Sequence, residues 1–179
     1  MNIYKILDDL GIEYKKFQHP AVFNCEQAHL LALDIDGAAT KNLFIKNKKG
    51  NRHFLIIMMD DKTVDFKRLS QILNVSGLSF ASSNSLEKYL GTSAGSVSIL
   101  DIVKDTQAAV ELIIDKSIFN YSAIQCHPFT NTATLEIPIT GIQQLLAHYQ
   151  RQYTEIEIEI EIENPQAAFY IELSYLYVQ

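Results

Sequence analysis

The apolar positions of this chain change period several times, and each change predicts a short helix or strand. Ile3, Leu7 and Leu10 stand at helical spacing with Gly11 as a stop, so a short helix opens the chain. Glu13 to Gln18 predicts a strand running into His19-Pro20. Asn24 followed three residues later by Gln27 resembles a capping box and predicts a helix through Leu31 to Ala32, after which Gly37 ends the approach to a second strand. That strand is the buried run Leu43-Phe44-Ile45, joined through the turn Asn47-Lys48-Lys49-Gly50-Asn51 to the apolar run His53 to Met59. Thr40, Lys41 and Asn42 are left at the mouth of the hairpin.

Past a turn at Asp60-Asp61, Asp65 can cap a helix whose apolar face is Phe66, Leu69, Ile72 and Leu73. Leu78 to Ala81 predicts a short strand, and Ser83 or Asn84 starts a helix through Leu86, Tyr89 and Leu90 that Gly91 stops. The small residues Thr92 to Ser98 then form a loop able to bring backbone N–H groups close to a ligand. Ala108 to Ile114 predicts a buried strand followed by a turn at Asp115-Lys116. Ala123 to His127 and Thr132 to Ile137 predict two more strands, and Thr140 caps a last helix carrying Ile142, Leu145, Leu146 and Tyr149. The sum is a mixed α/β (α+β) domain, a mixed and largely antiparallel sheet with surrounding helices. No Rossmann or P-loop glycine pattern is present.

The pattern changes after Arg151. Thr154 to Glu163 alternates with period two, which places isoleucines on one strand face and glutamates on the other. Asn164-Pro165-Gln166-Ala167 offers a turn into a second strand-like run, Phe169 to Val178. The expectation is a domain over residues 1–151 and an acidic β-hairpin extension over 152–179. A lone hairpin is marginal in water, so its isoleucine face should pack on its own domain or on a second copy, as a homodimer through the extension.

Charge refines this picture. The net charge is -6, but residues 154–179 hold six glutamates and no Lys or Arg, leaving fifteen basic and fifteen acidic groups in the rest. Within that neutral body Lys41, Lys46, Lys48, Lys49 and Arg52 follow one another with no acidic residue between them. The hairpin therefore carries a local positive patch, either a solvated turn or a seat for a phosphate-bearing ligand. Cys25 and Cys126 lack any Cys-x-x-Cys spacing, and His19, His29, His53 and His148 share no metal-ligand spacing, so no metal is expected and these histidines read as structural or exposed. No apolar run is long enough for a membrane span and the first residues lack a signal-peptide core, which predicts a cytoplasmic protein.

Several motifs occur together in one order: His19-Pro20-Ala21-Val22-Phe23 with Cys25-Glu26-Gln27-Ala28, Thr40-Lys41-Asn42-Leu43-Phe44, Leu78-Ser79-Phe80-Ala81-Ser82, Gly95-Ser96-Val97-Ser98, and His127-Pro128-Phe129-Thr130-Asn131-Thr132-Ala133-Thr134. Over roughly residues 1–150 the chain resembles the YbaK-like, prolyl-tRNA-synthetase-associated editing domains, most closely the freestanding alanyl-tRNA(Pro) deacylase branch. The resemblance implies a YbaK-like editing fold and a hydrolase that removes a wrong amino acid from tRNA, with mischarged tRNA as partner, no cofactor and no metal. It implies that Lys41 is required for activity with Asn42 beside it at the Thr40-Lys41-Asn42 motif, and that His127 defines a small amino-acid pocket with Asn131 nearby. It implies that Gly95, Ser96, Val97 and Ser98 hold the amino-acid end through backbone groups. The family loop usually ends in proline; here Ile99 frees an N–H and relaxes φ at that point.

Such a residue set suits the reaction, because an aminoacyl ester is already activated and a site need only orient water and stabilise the oxyanion. Lys41 is expected to act electrostatically near the ester or the terminal phosphate, and the Gly95-Ser96-Val97 amides to recognise the carbonyl and ammonium end. His127 and Phe129 are candidate walls that exclude larger side chains. Lys46, Lys48, Lys49 and Arg52 are the candidates for the tRNA backbone. Cys126 and His127 point to opposite strand faces, which disfavours a thiol hydrolase. Three alternatives stay open: a catalytically weak tRNA-binding or regulatory module, a deacylase for another amino acid such as cysteine, and an interaction protein working through the acidic hairpin.

Overall fold

The computed structural model describes residues 1–31 and 33–158. Ala32, and the remainder of the alternating Glu/Ile run with the second strand expected after it, lie outside the described residues. In chain order the elements are α1 (Ile3–Asp9), β1 (Lys15–Gln18), α2 (Cys25–Leu30), β2 (Thr40–Asn47), β3 (His53–Met59), α3 (Phe66–Ile72), β4 (Leu78–Phe80) and α4 (Ser83–Leu90). A 3-10 helix (Ile99–Lys104), β5 (Val110–Asp115), a second 3-10 helix (Lys116–Asn120), β6 (Ala123–Cys126), β7 (Ala133–Pro138), α5 (Ile139–His148) and β8 (Tyr153–Ile156) complete the order.

The strands form two sheets. The larger has the order β4-β2-β3-β5-β8, with β3-β5 and β5-β8 parallel and the others antiparallel; the smaller is antiparallel in the order β1-β7-β6. Alternation on the larger sheet sorts its side chains into two cores. Phe44, Leu55, Ile57, Leu112 and Ile114 face α1, α4, α5 and the smaller sheet. Leu43, Ile45, Phe54, Ile56, Met58, Ile113 and Ile156 face α3. Among the described residues β8, the start of the alternating run, is thus the outermost strand of the larger sheet, with Ile156 and Ile158 buried and Glu155 and Glu157 exposed. Just before it, the Arg151 guanidinium bonds the Asp105 carboxylate at 3.1 Å, which ties the end of α5 to the start of β5.

Local chemistry accounts for most boundaries. Asn2, Asn24, Asp65 and Ser82 each accept backbone N–H bonds at the start of a helix. Gln27 Oε1 accepts the Phe23 N–H at 2.8 Å, closing the predicted capping box one residue earlier than usual. Three expectations are corrected. Ile72 is 52% exposed, because α3 covers the sheet through Phe66, Leu69 and Leu73 and Ile72 sits about 100° round the axis from Leu73. Thr140 lies inside α5: β7 runs straight into the helix at Pro138, and the Ile139 N–H is satisfied by the Ser122 carbonyl. β5 starts at Val110, since Ala108 has φ 51° and is held in a turn by Asp105. The two 3-10 helices have no apolar period long enough to be read from sequence.

Just ahead of β2, Gly37 lies against the backbone of β6. Its φ is 93°, and a Cβ there would lie 2.6 Å from the Ala123 carbonyl oxygen. Gly37→Ala is expected to destabilise the protein by about 2–4 kcal/mol, through backbone strain and overpacking together. A denaturant midpoint unchanged from wild type would contradict this.

Candidate active site

A cavity of about 730 Å³ opens where the two sheets meet. Its first wall is the mouth of β2. β4 pairs with β2 only along Ile45 to Asn47, and Phe44 accepts one further bond from Ala81, so no strand among the described residues covers Thr40 to Leu43. The cavity wraps this open edge. Lys41 and Leu43 come from the α3 face, Thr40 and Asn42 from the opposite face. Thr40 donates its hydroxyl to the Gln125 carbonyl at 3.0 Å, which fastens the mouth of β2 to the smaller sheet.

The floor is one face of that smaller sheet. Ile124, Cys126, Leu135 and Ile137 point into the core, so Gln125, Thr134 and, one residue past β6, His127 point the other way. His19 stands beside them, with ring centroids of His19 and His127 6.4 Å apart. The roof is α2 and the segment leading to Gly37, with Phe23, Leu31, Leu33 and Ile35 as apolar lining. Ile35 and Gly37 are held down by the Gln125 side-chain amide, at 2.9 and 3.4 Å. At the rim His29 Nε2 lies 2.6 Å from Asp60 Oδ2, joining α2 to the end of β3.

The glycine loop closes the remaining side. Gly95 and Val97 line the cavity and their N–H groups make no hydrogen bond among the described residues, whereas the Ser96 N–H is taken by the Ser93 carbonyl. Gly95 has φ 83° and a Cβ there would meet the Phe23 ring at 3.3 Å. The loop ends in a built cap: Ser98 Oγ accepts from Leu100 N, and Asp101 Oδ2 accepts from Ser98 N at 2.8 Å. Ile99 is therefore the first residue of a helix, a position where proline's missing N–H matters least, and the exchange of proline for isoleucine leaves the cap intact.

Of the residues expected at the site, Thr40, Lys41, Asn42, Gly95, Val97 and His127 share the cavity. Ser96, Ser98, Phe129 and Asn131 are not among its lining residues. Ser98 is fully buried as the cap, and the Asn131 carbonyl accepts the Val22 N–H. Phe129, at φ 62°, lies under the Lys104 ammonium, 3.8 Å from the ring centroid. Lys48 and Lys49 are exposed at the far end of β2, roughly 20 Å from Lys41 at strand rise. Lys46 is half-buried there, and Arg52 is held by Glu111 through two bonds of 2.7 and 2.8 Å. His19, Gln125, Thr134, Asp60 and His29 line the cavity without having been expected there, and only the places of His19 and Thr134 at the ends of two family motifs hinted at it.

Electrostatics separates the groups. The Lys62 and Lys104 ammonium groups are neutralised by Asp115 and Asp101, but the half-buried Lys41 ammonium has no carboxylate or hydrogen-bond partner among the described residues. Burial lowers the His127 pKa, against the bond to the Ala133 carbonyl, and His19 lowers it further, so the ring is neutral at pH 7. Burial pushes the Cys126 thiol well up; its sulfur packs in the core at 3.8 Å from the Leu135 carbonyl and is no nucleophile.

Residues 19–145 match the aminoacyl-tRNA editing domain family. The chain belongs to that family. This editing domain is 30% identical over 152 residues to the prolyl-tRNA editing protein ProX of Acetoanaerobium sticklandii, covering 85% of this chain and 93% of ProX. It is 32% identical over 148 residues to prolyl-tRNA synthetase associated domain-containing protein 1 of Danio rerio, covering 82% and 80%. A solved structure described as a candidate trans-editing enzyme for prolyl-tRNA synthetase shares the fold, with a TM-score of 0.62 at 16% identity over 89% of this chain and 95% of the other.

The buttress behind the glycine loop gives a pH test. Burial raises the Asp101 carboxyl from 3.8 to about 6, against the opposing pull of Lys104. The unfolded chain therefore ionises Asp101 first as pH rises, so the stabilisation is full below pH 3.8 and lost through about pH 6. Relative to Asp101→Asn, the wild-type protein is expected to lose roughly 3 kcal/mol between pH 4 and 7 and to hold level above that. Parallel stability curves for the two proteins across that window would contradict the assignment.

Proposed function

We propose that this editing domain hydrolyses the ester of tRNA(Pro) mischarged with alanine, acting in trans. The observation that carries the reading is the convergence of an unneutralised Lys41, two open amides at Gly95 and Val97, and a neutral His127 on one cavity. At about 730 Å³ the cavity is far larger than an alanyl group and falls in the range that encloses a whole small ligand, so the terminal nucleoside enters with its ester.

The reaction needs little from the protein. Water attacks the ester carbonyl carbon, the carbon–oxygen bond to the ribose breaks, and the ribose oxygen takes the proton that the water gives up. Free alanine and uncharged tRNA result. N–H groups at Gly95 and Val97 are donors suited to the developing oxyanion, and Lys41 adds a positive charge in a partly dry site. No serine or cysteine needs to form an acyl intermediate. Larger side chains are kept out by contact, since attraction for one methylene is worth only about 1–3 kcal/mol. Val22, Val97 and Leu43 supply buried apolar walls for that purpose.

The acceptor stem reaches the basic end of β2. Lys46, Lys48 and Lys49 make no ion pair among the described residues, whereas the Arg52 fork is occupied by Glu111, so the lysines carry the phosphate contacts in this reading.

Incubation with labelled alanyl-tRNA(Pro) tests the reaction. Lys41→Ala is expected to lower the rate by about 10²- to 10³-fold. Release by the wild type and the variant alike at the spontaneous rate would reject the function. For the stem contact, replacing Lys48 and Lys49 together by Ala is expected to raise KM and flatten the plot of log affinity against log salt by roughly 1.5. An unchanged slope would remove those lysines from the interface.

A further inference from the structure

The open polar atoms on the cavity floor are all acceptors. A carbonyl oxygen only accepts, so the 3.0 Å contact of His127 Nδ1 with the Ala133 carbonyl puts the ring hydrogen on Nδ1 and leaves Nε2 a bare lone pair. His19 is fixed by the same logic. Its Nδ1–H donates to the Pro20 carbonyl at 2.8 Å, and in the neutral ring its Nε2, 2.9 Å from Thr134 Oγ1, accepts the hydroxyl hydrogen. The Thr134 oxygen then has only lone pairs to offer. Gln125 Nε2 has two carbonyl partners, on Ile35 and Gly37, so the amide cannot be flipped and Oε1 is its remaining group.

Donors sit on the other side, next to the Asn42 side chain, whose amide oxygen is buried there. Lys41 and the Gly95 and Val97 N–H groups come from the mouth of β2 and the glycine loop. A cavity with donors on one wall and neutral acceptors on another binds a ligand that has both an anionic or carbonyl end and a cationic end. An aminoacyl ester is such a ligand.

The geometry points to His127 Nε2, Thr134 Oγ1 and Gln125 Oε1 as the recognition site for the α-ammonium group of the aminoacyl ester, with Lys41 and the loop amides facing its carbonyl and phosphate. This assignment rests on the editing function proposed for the cavity and adds to it which wall reads which end. A neutral floor has a chemical advantage. An ammonium held by a carboxylate has part of its charge compensated, whereas one held by lone pairs keeps its electron-withdrawing effect on the ester carbonyl. Asp60 and Glu26 also line the cavity and are the competing sites; Asp60 is engaged by His29 at the rim.

The test compares alanyl-tRNA(Pro) with lactyl-tRNA(Pro), in which a hydroxyl replaces the ammonium, each rate being divided by the spontaneous rate of the same ester. The wild type is expected to favour the alanyl ester by about ten- to hundredfold, the worth of hydrogen bonds to a charged group. Thr134→Val and Gln125→Met should bring that ratio towards one, and Thr134→Ser should restore it. A wild-type ratio near one overturns the assignment while leaving deacylation standing. So does a fall of both rates together with an unchanged ratio, which marks Thr134 and Gln125 as structural. Loss of the ratio in Asp60→Asn with retention in Thr134→Val moves the ammonium to the rim. If neither ester is hydrolysed above its spontaneous rate, the editing function fails and takes this inference with it.

Discussion

The site depends on how the chain passes from the smaller sheet to the larger one. Ala38 donates to the Ala123 carbonyl at 2.8 Å and accepts from Gln125 N at 2.9 Å, as a parallel bridge on the edge of β6. Two residues later, at Thr40, the chain is already paired with Met59 in the larger sheet. At the crossing the smaller sheet stays close, with the Thr40 hydroxyl still donating to the Gln125 carbonyl. β4 meets β2 only beyond Phe44, and the stretch between, uncovered by any described strand, becomes the wall of a cavity. Gly37, with its left-handed φ and its contact with Ala123, lets the crossing happen.

Polar side chains hold this arrangement more than apolar packing does. α2 buries none of its residues, and the apolar roof residues Phe23 and Leu33 remain largely exposed. What fixes the roof is the Gln125 amide on Ile35 and Gly37 and the His29–Asp60 pair at the rim. Behind the glycine loop, Lys104 joins the Gly91 carbonyl at 3.2 Å, the Asp101 carboxylate at 2.8 Å and the Phe129 ring, so the end of α4, the loop cap and the His127 segment meet on one ammonium group. Buried pairs of this kind are weak sources of net stability, but breaking one partner is costly, which suits a role in fixing geometry. Cations spent on structure are thereby distinguished from Lys41, which lines the cavity with no ion pair among the described residues.

An editing domain needs to destroy a bond that water already attacks, and the sparse chemistry of the cavity fits that need. Around it stand Lys41 and Asn42 of the β2 mouth, Gly95 and Val97 of the glycine loop and His127, Gln125 and Thr134 of the smaller sheet, the last three each held by a hydrogen bond to another part of the chain. The tautomer of His127 is an example: a single carbonyl, on Ala133, decides which nitrogen the cavity meets. No helix among the described residues is long and apolar enough to cross a membrane.

Much of this architecture was determined by the sequence alone. Helix caps at Asn24 and Asp65, the β2–β3 hairpin, and the alternation that buries Ile156 and Ile158 arise from local periodicity and turn chemistry, which act over a few residues. The motifs around Lys41, Gly95 and His127 marked the family and half of the cavity. Which residues would stand opposite them could not be read, because Gln125 meets Ile35 and His19 meets Thr134 across 90 and 115 positions of chain. Likewise Phe129 and Asn131, close to His127 in sequence, turn away from the cavity once the chain takes a positive φ at Phe129. Sequence fixes which groups exist and which face of an element they occupy. Whether a given amide or ring offers a donor or a lone pair to the cavity is decided only by the carbonyls that tertiary structure brings to its other side.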